Sequence, residues 1–171
     1  MPVRVSADHI AAAGGGFQPQ LKSNFTLRMT PPGDANNAQV IELSLKTFPF
    51  PHMVTENPAI NYMNGQRKYP GRTTYPDAPL VVNDYVDQQT ASVLEAWHNL
   101  VYNPVTGATG LCAIIKRQAT LILFAPDGST ERKWRLLGVF PKEFDMGAGS
   151  MDDATANQIT ATLSIDSVEA M

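Results

Sequence analysis

Residues 111–140, LCAIIKRQATLILFAPDGSTERKWRLLGVF, decide the fold. Pro126-Asp127-Gly128-Ser129 separates two apolar runs, and an Asp-Gly pair in that position is a strong hairpin signal. The spacing predicts a long strand over 111–125 and a partner over 130–140, closed by Phe140-Pro141. In that long strand Cys112 reads as a small buried side chain.

Downstream, 146–153 reads as a Gly- and Asp-containing loop. Residues 156–168 then alternate Ile159, Ala161, Leu163 and Ile165 with Thr160, Thr162, Ser164 and Asp166, which is the period of a half-buried strand. Upstream, Asp87 is placed to cap a helix running to about Tyr102. Its apolar positions Val93, Leu94, Trp97, Leu100 and Val101 fall at three- and four-residue spacings, with Leu94, Trp97 and Val101 as its core face. Residues 80–82 form a short apolar strand.

Further back, Phe25, Leu27 and Met29 alternate with polar residues, and so do Ile41, Leu43 and Leu45. Pro31-Pro32-Gly33-Asp34 lies between them. These read as a hairpin, strands 24–30 and 39–47, with Glu42, Ser44 and Lys46 on its wet face. Residues 48–79 hold six of the thirteen prolines. Proline cannot donate to a ladder, so this stretch reads as a long extended loop lying against another surface. Residues 1–23 read as an N-terminal arm, with Ser6 capping a helical turn that Gly14-Gly15-Gly16 ends. The remainder, 24–171, is one domain. The fold class is mainly β, an antiparallel sandwich or barrel with one flanking helix.

Composition narrows the function. The chain has 171 residues, is 43% hydrophobic and only 17% charged, with a formal net charge of -3. Low charge beside an ordinary apolar content points to a surface partly covered by neighbours. The negative balance disfavours a nucleic-acid clamp. One cysteine excludes an intramolecular disulfide framework and a cysteine-based zinc site. No apolar run approaches the ~20 residues of a membrane span. The N-terminus shows no apolar signal region, so assembly is expected in a cytoplasm, without a membrane anchor. The histidines, His9, His52 and His98, are scattered, and none has a second ligand at helical spacing. The Gly-rich stretches lack a phosphate-loop lysine. The basic clusters Arg67-Lys68-Arg72 and Arg132-Lys133-Arg135 read as partners for acidic protein surfaces. No catalytic constellation emerges, so no enzyme and no cofactor are expected.

The order of helix, long hairpin, the segment Trp134-Arg135-Leu136-Leu137-Gly138-Val139-Phe140-Pro141, acidic loop and alternating last strand resembles the tube proteins of contractile phage tails, over about 24–170. Trp134, Leu136, Gly138, Phe140 and Pro141 carry the likeness. The resemblance implies hexameric rings stacked into a hollow tube whose strands join one continuous inner barrel. It implies a sheath around the tube, a baseplate at its end and a tape-measure protein within until ejection. Viral DNA then passes through without specific binding, and the protein belongs to the virion tail.

A barrel of about 24 strands, ~4.8 Å apart and tilted about 40°, has a circumference on the order of 150 Å and a bore of roughly 35 to 40 Å. Duplex DNA fits such a bore, and a lumen for transit should carry polar side chains without excess positive charge. Glu42, Ser44, Thr160, Thr162, Ser164 and Asp166 are the candidate lumen-facing residues, with Arg28 and Lys46 as cations placed to pair with Glu42 or Asp166. Two other readings stay open. A type VI secretion or contractile injection tube protein shares the fold and carries effectors, and gene neighbours would discriminate it. A small β-barrel ligand-binding or enzymatic module would be a monomer with a closed apolar pocket.

Overall fold

The computed structural model describes residues 19–34, 36–152 and 154–171. Ser6, His9, the Gly14–Gly16 run and Asp153 lie outside them. The strands are β1 (Phe25–Met29), β2 (Leu45–Thr47), β3 (Val54–Thr55), β4 (Ala59–Tyr62), β5 (Gly65–Lys68), β6 (Thr73–Thr74), β7 (Ala78–Asn83), β8 (Arg117–Phe124), β9 (Thr130–Asp145), β10 (Gln158–Ser164) and β11 (Ser167–Ala170). Among the described residues three helices accompany them: α1 (Asn37–Ser44), α2 (Thr90–Val101) and α3 (Cys112–Ile115).

The hairpin forms where the Asp-Gly pair predicts it. The Gly128 amide donates to the Ala125 carbonyl and the Ala125 amide to the Ser129 carbonyl, both at 2.9 Å. Gly128 sits at φ +84°, a conformation glycine adopts without a Cβ penalty. The Asp127 carboxylate accepts the Ser129 hydroxyl (2.7 Å) and amide (2.9 Å). These bonds favour the charged form and hold Asp127 below its ordinary value of 3.8.

Two antiparallel sheets share one strand. The first runs β1-β8-β9-β11 and the second β9-β10-β7-β2. Leu27, Met29, Ala119, Leu121 and Leu136 of the first sheet, and Leu80, Val82, Ile159, Ala161 and Leu163 of the second, join one buried cluster. This is the mainly-β, antiparallel architecture expected from the alternation. The first part of β9 pairs with β8 and β11, and the rest with β10.

The change of sheet is set by two residues of the Trp134–Pro141 segment. Gly138 sits at φ +68°, and a Cβ there would fall on the Asp166 carboxylate. Pro141 was expected to end the strand. Instead β9 continues to Asp145, because Pro141 stands opposite Leu163 at a register shift, where a missing donor costs no ladder bond.

Several other segments differ from the sequence reading. The expected strand over 39–47 is α1 followed by only three residues of β2. Ile41 and Ser44, three apart, both face inward, whereas Leu43 is 71% exposed. Ser44 hides the helical period because its burial depends on a hydroxyl pair with Thr90 (3.1 Å), not on apolarity. α2 begins at Thr90, not after an Asp87 cap. Residues 85–89 first make a turn of their own, with Gln88 and Gln89 amides on the Tyr85 carbonyl and Gln89 at φ +50°.

The strand expected from Leu111 begins only at Arg117. Residues 112–115 form the short helix α3, which turns Ile115 inward and leaves Cys112 exposed. The last strand breaks at Ile165-Asp166 into β10 and β11, since Asp166 turns toward Lys116 and Gly138. The Pro-rich segment is not an irregular loop. It is a projecting β-ribbon of two antiparallel pairs, β3 with β6 and β4 with β5.

Candidate functional site

The outward face of the second sheet is built by strand alternation. Ile159, Ala161 and Leu163 point into the core, so Thr160, Thr162 and Ser164 point away. Across the ladder Thr160 stands opposite Asp145, and Thr162 opposite Glu143. The Thr162 hydroxyl donates to a Glu143 oxygen at 3.4 Å. On the other side Val81 and Pro79 complete the face. Hydroxyls and two carboxylates therefore share this surface. Glu143 and Asp145 escaped the sequence reading because the strand was ended at Pro141. Continued with period two past the bulge, it would have placed them here.

The remaining lumen candidates are elsewhere. Glu42 lies on α1, where it accepts from the Thr26 hydroxyl (3.0 Å) and pairs with Arg28 (2.9 Å). The pairing of Arg28 with Glu42 occurs, but between a strand and a helix. Ser44 is buried and cannot line a bore. Asp166 sits in the corner between β10 and β11. It pairs with Lys116 at 2.6 Å, and that bond raises the lysine above its ordinary range.

The opposite sheet shows another charge pattern. Arg28, Thr120, Arg135 and Glu169 stand in one row across β1, β8, β9 and β11. Lys133 follows beside Ile122 in the next row. Arg135 reaches Glu169 only at 3.7 Å. The two outer faces thus differ, one rich in hydroxyls and carboxylates, the other bearing cations.

α2 closes the sandwich. Leu94 and Trp97 are fully buried and Val101 half-buried. The Trp97 indole N–H donates to the Ile115 carbonyl at 2.9 Å. Trp134 packs near Phe50, which in turn meets Phe25 edge-on. Leu136 is buried, and Phe140 receives the Lys116 ammonium 5.9 Å from its ring centre. His98 lies beside the Phe144 ring, and His52 is exposed on the Pro-rich segment. Among the described residues no three His, Cys, Asp or Glu side chains gather as a metal site. No helix there is long and apolar enough to cross a membrane.

The β3–β6 ribbon is exposed from residue 52 to 74. Its strands are tied by Thr55–Thr73 hydroxyls (2.9 Å), Tyr62–Tyr69 hydroxyls (3.3 Å) and the Glu56 amide on the Arg72 carbonyl (2.9 Å). The Tyr62 contact raises Tyr69 above its ordinary value.

No protein-family model matches the chain, and no curated protein sequence does. Solved structures do share its fold. A chain of the PVC sheath-tube complex, an extracellular contractile injection system in its extended state, superposes with a TM-score of 0.68 at 16% identity, covering 98% of this chain and 99% of that one. A chain of the sheath/tube terminator of the same system gives 0.70 at 13%, over 91% and 99%. A type six secretion system protein gives 0.53 at 10%, over 85% and 81%. At such identities the likeness establishes a fold of the tube-protein type.

Proposed function

We propose that this chain is the tube subunit of a contractile tail, forming hexameric rings that stack into a hollow conduit. One observation carries the reading: the second sheet has two free edges and a polar outer face. Among the described residues β2 pairs only with β7, and Phe140–Asp145 of β9 pair only with β10. Exposed strand edges are an association hazard unless something pairs with them. Joining β2 of one subunit to the end of β9 in the next removes both edges and closes a barrel.

In that barrel Thr160, Thr162, Ser164, Glu143 and Asp145 line the bore. Carboxylates and hydroxyls repel or ignore phosphate, so duplex DNA slides without the grip that lysine contacts would add. The other sheet, with Arg28, Lys133 and Arg135, faces outward toward a sheath. The tube ends on a baseplate and surrounds a tape-measure protein in the assembled virion tail. The ribbon and the loops at 103–110 and 145–155 provide contacts between subunits and rings. The role is structural, not enzymatic.

The fold shared with injection-system chains favours a second reading, the same tube carrying protein effectors. Purified protein examined by negative-stain microscopy and light scattering should show rings or tubes with a bore of roughly 35 to 40 Å. A monomer that persists at high concentration refutes the tube. Nuclease-protected DNA or effector peptides in native particles decide the cargo.

A further inference from the structure

We propose that the tip of the projecting ribbon docks into the groove between α1 and the β7–α2 loop of a second copy of this chain. The proposal rests on the self-assembly reading above and names both surfaces of one contact.

The ribbon is the donor. A two-stranded hairpin alone is marginal in water, because it has no third strand or helix on which to bury a face. This one nevertheless presents Val54, Ile60, Tyr62 and Met63 to solvent, and Met63 at the turn is fully exposed. Among the described residues nothing covers them.

The groove is the acceptor. It holds a hollow of about 570 Å³ lined by Val40, Leu43, Tyr85 and Gln88. A second hollow of about 380 Å³ adjoins it, bordered by Asp87 and Val93. Leu43 is 71% exposed, and Val86 beside the groove is 93% exposed. α1 therefore exposes its single leucine on the wall of a cleft of mixed character, where Val40, Leu43 and Tyr85 stand among Asn36, Gln39 and Gln88.

Charge selects the partner. The ribbon carries Arg67, Lys68 and Arg72 against Glu56 alone. The described residues lining the two hollows include no Lys or Arg, Arg28 of β1 being paired with Glu42 of α1, and Asp84 and Asp87 stand on the β7–α2 wall. The ribbon's register fixes where its charge sits. Ile60 stands opposite Arg67, so the cation lies about 7 to 10 Å behind the tip at ~3.3 Å per residue. Leu43 and Asp87 border the two adjoining hollows, so a tip seated with Met63 on Leu43 brings its basic stem toward the acidic side of the groove. Opposite potentials of this kind fix register and suppress wrong docking.

Site-specific crosslinking in a Cys112→Ser background tests this. Met63→Cys and Leu43→Cys in one chain, treated with a short bismaleimide, should give a ladder of linked copies on a denaturing gel. Either cysteine alone should not. Arg67→Glu with Lys68→Glu should raise the concentration needed for assembly at least tenfold, and adding Asp84→Lys with Asp87→Lys should restore it. Tubes that form normally without the Met63–Leu43 ladder overturn the docking and leave the tube standing. A ladder from Met63→Cys alone, meaning tip against tip, also overturns it. A ladder from a protein that never forms rings or tubes upholds the docking and removes the tube.

Discussion

Replacing Trp97 by alanine removes, among the described residues, the largest fully buried side chain and the indole donor on the Ile115 carbonyl. Truncating a buried Trp costs about 3 to 5 kcal/mol in transfer and cavity terms. The carbonyl left behind adds about 1 to 3 kcal/mol, less whatever water entering the cavity restores. The sum is about 4 to 8 kcal/mol, and with water restoring part of the carbonyl's bond about 4 to 6 kcal/mol is expected. For a chain of this length each kcal/mol moves Tm by about 2 to 4 °C, so a fall of roughly 10 to 20 °C is expected. Trp97→Phe separates the contributions. It keeps much of the apolar volume, loses the indole N–H, and should cost about 1 to 3 kcal/mol. Guanidinium unfolding of unassembled protein, followed by Trp134 fluorescence, measures both. Trp97→Ala within 1 kcal/mol of the parent refutes the reasoning, and a neutral Trp97→Phe refutes the hydrogen-bond part.

Gly138→Ala should cost roughly 2 to 4 kcal/mol, since it combines a left-handed backbone with a collision at Asp166, and an unchanged Tm excludes that geometry. Ser44→Ala should cost about 1 to 2 kcal/mol in the same unfolding assay by leaving the Thr90 hydroxyl unpaired. The Asp127 carboxyl should titrate below 3.8 in carbon-13 NMR. Its folded value is depressed, so its stabilising effect is complete above the unfolded value and disappears as pH falls through the folded one. A midpoint at or above 3.8 contradicts the turn geometry.

Where one physical rule governed a segment, the sequence could be read. The Asp-Gly turn, the core of α2 and the alternation in β1 and β10 depend on local chemistry and a single period. α1 was misread because Ile41, Leu43 and Leu45 satisfy a period of two. The helical alternative requires Ser44 to be buried, and only the distant Thr90 makes that possible. Cys112 and the start of β8 depend on Trp97 needing an acceptor, an event eighteen residues away. In the ribbon, prolines at 58, 70 and 76 lie outside its strands, so their number signalled irregularity that the backbone avoids. Of the candidate lumen set, Thr160, Thr162 and Ser164 share a face, whereas Ser44 and Asp166 do not, because face assignment needs the strand ends to be right.

β9 has a mechanical consequence. A sandwich held only by side chains can be peeled, because each layer can lift off the other through interactions that fail one after another. Here one sixteen-residue strand belongs to both layers. Separating them requires unzipping β9 from β8 and β11, or from β10, under shear across many ladder bonds at once. A twisting load applied to one layer therefore reaches the other along continuous covalent backbone, and the sandwich resists delamination.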